Sequence, residues 1–345
     1  CSKENLKKHV ESGTSFNTAT GWMEVQKRIR KSNNWERMIK ILSYAAAVLV
    51  PVFFVGISLK YTTHDYFSNK SVLIAQPILP GAAKAILTLD NGETINLNKE
   101  TADALQTIEG TNIQIDSTTL NYQLAQSTSV SPKPVYNKVE IPRGGEYALV
   151  LSDGTKVHLN SMSSLRFPVA FTTGKREVEL QGEAYFEVSK TGQPFIVNAN
   201  GIQVEVLGTT FNISAYPDEE YQTTLVNGSV KVSAEKGESL ILKPSQQATI
   251  ALGSNSIQVR TVDTSFYTSW VKGKINFKDQ RLEDIMKTLS RWYDMNVVYE
   301  NEKLKNIRFG CNLNRYEEIT PFVKLLEKTE EVHVKIEGNT ITFHN

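Results

Sequence analysis

The sequence has few of the residues that cross-link a fold, bind metals or catalyse reactions. Its 345 residues include only two cysteines, Cys1 and Cys311, so the chain has no disulfide framework and must rest on hydrophobic cores. Its five histidines lack metal-site spacing, and no CxxC, HExxH, phosphate-binding glycine loop or nucleophile elbow occurs. These absences predict a protein that is not an enzyme and has no cofactor or resident metal.

Charged residues are absent from one long stretch. Ile41–Leu59 is a run of nineteen uncharged residues, which as a helix would cross the roughly 30 Å core of a bilayer. Six basic residues and one acidic residue lie between Lys27 and Lys40. By the positive-inside rule, the chain is predicted to be a single-pass inner-membrane protein with a cytoplasmic N-terminus and a periplasmic C-terminus.

Two other interpretations of this region stay open. A secretory signal peptide would have a shorter apolar core, an earlier start and a cleavage site. The start Cys1-Ser2-Lys3 resembles that of a processed bacterial lipoprotein, although a lipid on Cys1 would conflict with the orientation set by the basic flank. Numbering that begins within a longer reading frame would also explain Cys1.

The N-terminal arm has one amphipathic segment. Trp22, Val25 and Ile29 recur at helical spacing. An arm of about forty residues is too short for a core of its own, so it packs on a partner, remains partly disordered, or lies on anionic lipid as a juxtamembrane helix. We predict that these three residues bind a cytoplasmic protein. The arm has neither aromatic–basic interleaving nor a helix-turn-helix pattern, which predicts no direct contact with nucleic acid.

From Ala82 to about residue 262 the hydrophobic period is two. Leu87–Asn98 and Leu149–Asn160 are near copies, each a strand, an Asn-Gly or Asp-Gly turn and a second strand. Many short strands follow at close spacing, among them Arg176–Leu180 and Ala184–Val188 with a turn predicted at Gly182 between them. Such a series is typical of a β-sandwich, a barrel or a stacked β-roll. Glu183 and Glu187 fall on one face of such a strand and are interpreted as surface residues.

After Trp270 the pattern changes to a mixture of helices and strands. Helices are predicted at Gln280–Trp292 and Tyr316–Lys328, separated and followed by short strands. The fold class predicted for the whole chain is therefore a single transmembrane helix, a mainly β periplasmic domain and a C-terminal α+β (βαββαβ) domain. The predicted domains are a cytoplasmic arm (1–40), the transmembrane helix (41–59), a linker (60–81), a β-hairpin unit with linker (82–134), a β-rich domain (135–262) and the α+β domain (266–345).

Gly208 and Thr209 lie between two predicted strands and have two interpretations. One is a β-bulge or a tight bend. The other is a self-cleavage site, in which the Thr209 hydroxyl attacks the preceding carbonyl and forms an ester that water then cleaves. Both interpretations need Gly208, so the sequence leaves both open.

Several consecutive motifs together resemble the FecR family of anti-sigma factors. They are the segments Val139–Phe171, Arg176–Lys190, Pro194–Tyr216 and Leu225–Val232. The segment Asn276–Tyr299 is similar to the C-terminal domain that FecR proteins of Bacteroidetes carry. The arm is shorter than the sigma-binding region usual in the family, and the hairpin unit from residue 82 lies outside the resemblance.

The resemblance implies a mechanism and two partners. The arm would bind an extracytoplasmic-function sigma factor, and the periplasmic part would receive a signal from the N-terminal signalling domain of a TonB-dependent outer-membrane transducer. The C-terminal domain, similar to secretin and TonB short N-terminal domains, would make that contact. Some relatives are cleaved at a Gly-Thr pair, which matches Gly208 and Thr209.

One alternative function belongs to another class. The chain could be a membrane-anchored module that binds periplasmic carbohydrate or peptidoglycan. Such a module needs a groove with exposed aromatic side chains. Tyr185, Tyr216 and Tyr221 are the candidates for that role.

Overall fold

The computed structural model describes Met23 and residues 78–97, 104–108, 111–116, 118–122, 134–172, 174–235 and 237–345. The chain divides into two compact units, Cys1–Ile74 and Ala75–Asn345. The second unit contains all of the described residues except Met23. It consists of a β-rich part followed by a mixed α+β part.

Nineteen strands build the β-rich part. In chain order they are β1 (Ala82–Ala83), β2 (Ala85–Thr88), β3 (Thr94–Leu97), β4 (Ala104–Ile108), β5 (Thr111–Ile115), β6 (Thr119–Asn121), β7 (Tyr136–Glu140), β8 (Gly145–Val150), β9 (Lys156–Leu159), β10 (Ser164–Pro168), β11 (Arg176–Glu187), β12 (Phe195–Ala199), β13 (Ile202–Val206), β14 (Thr210–Ala215), β15 (Tyr221–Asn227), β16 (Val230–Ser233), β17 (Ser239–Leu242), β18 (Gln246–Ile250) and β19 (Gln258–Thr261).

The C-terminal part alternates helices with strands. Its elements are α1 (Ser265–Thr268), a 3-10 turn (Ser269–Lys272), β20 (Lys274–Arg281), α2 (Leu282–Trp292), β21 (Asn296–Tyr299), a second 3-10 turn (Glu302–Asn306), β22 (Arg308–Asn314), α3 (Thr320–Glu327), β23 (His333–Glu337) and β24 (Thr340–His344). Strands β20 and β22 form an antiparallel pair, and β21, β24 and β23 form a three-stranded sheet with β24 in the middle.

The β-rich part contains two sheets that share one long strand. One has the order β17-β16-β13-β12-β11-β10-β7-β2-β3. The other has the order β19-β18-β15-β14-β11-β9-β8-β6-β5-β4. The buried side chains of both sheets form one continuous core. Burial on alternate positions of β11 follows from its period-two sequence.

Strand β11 leaves one sheet and enters the other at Gly182. Its first half pairs with β10 and β12, and its second half pairs with β9 and β14. The sequence predicted two strands separated by a turn at this glycine, and that prediction is wrong. The glycine has φ +86° and lies against Ser163 and Met162, so it permits a bend in a continuous strand rather than a chain reversal.

Replacing Gly182 with alanine is expected to destabilise the protein by about 3 kcal/mol, from left-handed strain and overpacking together. A Cβ atom here would lie 2.7 Å from Ser163 Cα, which belongs to the backbone and cannot move aside cheaply. The matched control is Gly192→Ala, because Gly192 has φ +84° and no atom near its would-be Cβ. Urea denaturation should show the larger loss for Gly182→Ala. Equal losses would contradict the steric argument.

The repeated hairpin sequence folds into the same turn twice. Leu89 N donates to Glu93 O, and Leu151 N donates to Thr155 O, each at 2.9 Å. In both copies the turn's Asn or Asp accepts from the backbone N–H two residues on. A shared local sequence therefore gives a shared turn, as side chains of Asn and Asp favour.

A second core lies in the C-terminal part. It contains Trp292 and the apolar faces of α2 and α3, and also Ile78, which precedes β1 in the chain. Ile78 falls in the predicted linker, but it is buried at 6% exposure. Ile78, which precedes β1, therefore packs on the C-terminal core.

The predicted fold class, with its single transmembrane helix, needs correction. The described residues form a mainly β protein with few helices, and none of those helices is long and apolar enough to span a membrane. Helix α2 has 11 residues, which reach only about 16 Å, and it is buried on one face only. The predicted span Ile41–Leu59 lies outside the described residues.

Candidate functional site

A buried arginine joins the two cores. Arg315 follows β22 and is 1% exposed. Its guanidinium donates to Trp270 O at 3.1 Å and to Asn160 Oδ1 at 2.9 Å, and it lies 3.5 Å from Glu146. It also stacks 3.7 Å from the ring centre of Trp292. One cation thus contacts the β-rich part, the connecting turn and the C-terminal core.

The contacts of Arg315 form part of a closed ring of hydrogen bonds. The Trp270 indole donates to Asn212 Oδ1 at 3.2 Å. The side-chain amides of Asn212 and Asn160 donate to the two Glu183 carboxylate oxygens at 3.0 and 2.7 Å. The hydrogen bond from Arg315 to Asn160 Oδ1 closes the ring. In each amide the oxygen accepts a hydrogen bond and the nitrogen donates one, so the ring fixes the orientation of both the Asn160 and the Asn212 amide. We call Arg315, Asn160, Glu183, Asn212 and Trp270 the junction ring.

A second arginine crosses the same boundary beside the junction ring. Arg291, in the last turn of α2, stacks 3.8 Å from the ring centre of Tyr216 and pairs with Glu219. Tyr216 is buried, and its hydroxyl donates to Ser161 O at 2.9 Å. Burial alone would lower the pKa of Arg291, but Tyr216 and Glu219 raise it overall. The side chain therefore stays a cation held by the β-rich part.

The backbone at the end of α2 is also tied to the β-rich part. Arg143 donates to the carbonyls of Ser290 and Met295, and its guanidinium lies 3.1 Å from Asp294. Gly144 N donates to Arg291 O at 2.7 Å. These donors satisfy carbonyls that a helix end leaves free, and the cation suits the negative end of the helix dipole.

The junction ring lies along a polar cleft of about 480 Å³ between the two parts. Glu183 is half-buried in its wall. Burial raises the pKa of Glu183, while the Asn212 and Asn160 amides and the nearby Arg291 and Arg315 oppose the rise. The sequence interpretation of Glu183 as a surface residue is therefore wrong, because the C-terminal part covers the face on which it lies.

The raised pKa of Glu183 predicts a dependence of stability on pH. The Glu183 carboxyl has a higher pKa in the folded protein than its ordinary value of 4.5. As pH rises from 4.5 to the folded-state pKa, the unfolded chain loses this proton before the folded protein does, so the free energy of unfolding falls. Glu183→Gln cannot lose a proton. The stability of the wild type relative to this variant should therefore decrease through that window and level off above it. Urea denaturation at a series of pH values measures the difference, and parallel curves would contradict the prediction.

The arrangement is suited to mechanical coupling. Its charged groups are paired or hydrogen-bonded to one another, and they lie between two separate cores. Among the described residues, no cluster of three or more His, Cys, Asp or Glu side chains is placed to hold a metal ion. What the junction ring can do is hold the two parts in one orientation.

The predicted site residues lie elsewhere or outside the described residues. Trp22, Val25 and Ile29 fall outside them. Tyr216 and Tyr221, proposed as a carbohydrate surface, are each 5% exposed. Neither can therefore stack on a sugar in this structure.

Gly208 and Thr209 lie immediately before β14, the strand that carries Asn212 of the junction ring. The register of β14 shifts between Thr210 and Phe211, so there is a β-bulge beside the pair. The Thr209 hydroxyl donates to Ser229 O at 3.0 Å, and Thr209 is 5% exposed. Cleavage at this peptide stays a prediction.

The cleavage prediction has a direct test. If the chain cleaves itself at Gly208–Thr209, Thr209→Ala should abolish the two fragments, because it removes the attacking hydroxyl. Thr210→Ala is the matched control and should leave them unchanged. Denaturing gels and mass spectrometry of the fragments provide the measurement. A wild type that stays intact, or equal cleavage in both variants, would exclude the mechanism.

No sequence signal identified the junction ring. Its members come from β11 and β14, the residue after β9, the first 3-10 turn and the turn after β22, so no spacing connects them. Arg315 immediately precedes the helix predicted at Tyr316–Lys328, and it belongs to no motif of the sequence. A buried arginine and two tryptophans become recognisable as a site only when the two parts are packed together.

Comparisons with known proteins agree with this division into two parts. Residues 137–231 match the family described as FecR protein, and residues 274–343 match the one described as FecR, C-terminal. The first match covers central strands of the β-rich part, and the second covers β20 to nearly the end of β24. No curated protein matches the chain.

Two solved structures are each similar to about three-fifths of this chain. Both are crystal structures of a candidate anti-sigma factor from Parabacteroides distasonis. One is 26% identical with a TM-score of 0.56, covering 60% of this chain and 98% of its own. The other is 25% identical with a TM-score of 0.56, covering 61% of this chain and 99% of its own. From both domain matches, in order, and this likeness, we conclude that the chain belongs to the FecR family.

Proposed function

We propose that this protein is an anti-sigma regulator that relays a periplasmic signal to an extracytoplasmic-function sigma factor. The FecR-family matches and the similarity to a candidate anti-sigma factor support the regulatory role. In this proposal the N-terminal arm is cytoplasmic, with Trp22, Val25 and Ile29 contacting the sigma factor. The described body is periplasmic, and the protein has no catalytic activity.

The signal in this proposal comes from the N-terminal signalling domain of a TonB-dependent transducer. The observation that carries the relay is the junction ring, because Arg315 holds the C-terminal part against the β-rich part through buried polar contacts. A partner that binds the C-terminal part would therefore act on the whole body. Such coupling requires a contact that differs between two states.

Co-purification tests the sigma contact. The full chain is co-expressed with the extracytoplasmic-function sigma factor encoded beside it, and the complex is isolated through a tag on the sigma factor. We expect the two proteins to co-elute, and Trp22→Ala to weaken the complex by removing an apolar anchor. Met23→Ala is the matched control, since it changes the adjacent residue outside the predicted stripe. No complex, together with unchanged sigma-dependent transcription on deletion, would refute the proposal.

The relay has a separate test in cells. Arg315→Met should leave the sigma factor bound but alter induction by the transducer, because it weakens the contact between the two parts and does not change the N-terminal arm. Arg308→Met, which removes an exposed ion pair with Asp279, should leave induction unchanged. Normal induction in a folded Arg315→Met protein would contradict a relay through the junction ring.

A further inference from the structure

Two histidines face each other on an exposed surface of the C-terminal part. His333 begins β23 and His344 ends β24, and the antiparallel register places them directly opposite each other. Cβ atoms of such a pair lie about 4.5–5.5 Å apart. His333 is exposed and His344 is half-buried, whereas the alternate residues Val332 and Phe343 are buried in the core. Both imidazoles therefore stand on the outward face of the three-stranded sheet.

The spacing of the two rings suits a shared metal ion. Their centroids are 5.6 Å apart and their planes are inclined by 35°. Zinc–nitrogen bonds of about 2.0–2.1 Å place each ring centroid roughly 3.2 Å from the metal, so a tetrahedral angle separates the centroids by roughly 5.2 Å. The observed centroid separation is therefore close to that of two imidazoles on one tetrahedral metal ion.

The hydrogen bonding of His344 also suits metal binding. Its Nδ1 lies 3.2 Å from the main-chain oxygen of Asn345. A proton on Nδ1 donated to that oxygen leaves the lone pair on Nε2, the second ring nitrogen. In metal-binding histidines, the ring nitrogen that does not bind the metal usually donates to a carbonyl or carboxylate oxygen, which fixes the tautomer and the ring orientation.

A carboxylate lies one strand away on the same face. Glu300 N donates to Phe343 O at 2.9 Å, which extends the parallel pairing of β21 and β24 by one residue beyond Tyr299. This places Glu300 beside His344. As the side chains stand they do not form a three-ligand cluster, so Glu300 would have to rotate towards His344.

We propose that His333 and His344 form a binding site for a divalent transition metal of the zinc class. Glu300 is the third ligand after rotating, and water or a partner's side chain takes the remaining position, as in open zinc sites. Two imidazoles and a carboxylate suit zinc, whereas magnesium and calcium prefer oxygen ligands alone. The inference does not depend on the sigma factor or on the transducer.

Zinc titration of the full chain tests the site. Isothermal titration with ZnCl₂ should show a site that His333→Gln and His344→Gln each weaken by at least about tenfold, since loss of even an outer-shell partner costs that much. Glu300→Gln should weaken it less. His158→Gln is the matched control, because His158 lies in β9 beside Tyr185, outside the C-terminal part. At the same zinc concentration, the rise in Tm should be larger for the wild type and His158→Gln than for His333→Gln or His344→Gln.

Three results would count against the site. A wild type that binds no zinc would overturn it, as would a His333→Gln protein that titrates like the wild type. His333 is exposed, so its replacement leaves the fold intact and the comparison stays valid. Equal titration of Glu300→Gln and the wild type would remove Glu300 from the ligand set.

Discussion

Replacing Arg315 with methionine is expected to lower the free energy of unfolding by about 3–5 kcal/mol, the usual cost of removing one partner from a buried polar pair. The guanidinium is buried, and it holds Asn160 Oδ1, Trp270 O and the Glu146 carboxylate. Methionine has a similar length but donates no hydrogen bond. It would leave Trp270 O without this donor, and Glu146 would lose its ion-pair partner.

The same change should also alter how the protein unfolds. The two cores lie on either side of the junction ring, and Arg315 contacts both. Without it, we expect urea denaturation to separate into two transitions, one for each part, instead of a single cooperative one. Far-UV circular dichroism and tryptophan fluorescence would follow them, since Trp270 and Trp292 lie against Arg315.

Arg308→Met is the control for Arg315. It replaces an arginine seven residues earlier in the chain whose ion pair with Asp279 is exposed, at 53% and 75% of the two side chains. Such pairs contribute only about 0–1 kcal/mol. Arg315→Lys should not restore stability, because an ammonium cannot donate in the planar, divergent geometry of a guanidinium. If Arg315→Lys were as stable as the wild type, the positive charge at position 315, and not the guanidinium geometry, would account for the stabilisation.

Replacing Arg176 with methionine is expected to cost a similar 3–5 kcal/mol. Arg176 begins β11 and is 1% exposed. It pairs with Asp153 at 2.6 Å and donates to the carbonyls of Ser189 and Gln193 at 2.8 and 2.6 Å. Its loss leaves the Asp153 charge buried without its cation, inside the turn of the second repeated hairpin.

A double-mutant cycle separates the pair from the carbonyl contacts. Asp153→Asn alone should also destabilise the protein, but the double variant should lose less than the sum of the two single losses, because the unpaired charge is then absent. Arg166→Met serves as the control, since its ion pair with Glu179 is largely exposed. Additive losses in urea denaturation would show that Arg176 and Asp153 act independently.

Local patterns predicted much of the C-terminal part. The helix predicted at Gln280–Trp292 is α2, Leu282–Trp292, and its apolar stripe is buried as the 3.6-residue period requires. The helix predicted from Tyr316 begins instead at Thr320. Residues 315–317 form the turn that brings Arg315 into the junction ring, and the Tyr316 hydroxyl donates to Glu146 at 2.9 Å. The later start also has a local cause, because Pro321 lies in the first turn of α3, where proline is tolerated, and would break a helix that began at Tyr316.

In the β-rich part, local patterns predicted the repeated turns but not the path of every strand. Asn-Gly and Asp-Gly turns marked both repeated hairpins, because their geometry depends on neighbouring residues only. Gly182 is also predicted to be a turn residue, although Gln181 rather than Asn or Asp precedes it, but β11 continues through it. Whether a glycine reverses a chain or bends it depends on which strands lie on either side. That choice is made by pairing with residues far away in the sequence.

By itself, the sequence determined which segments are strands and helices, which of their faces are apolar, and the family to which the chain belongs. These follow from hydrophobic period, turn residues and ordered motifs, all of which are local. Only the tertiary structure decided that Glu183 and Arg315 share a ring of hydrogen bonds, or that His333 faces His344 across two strands. Such contacts join residues through packing and register, and their energy depends on burial that no short stretch of sequence specifies.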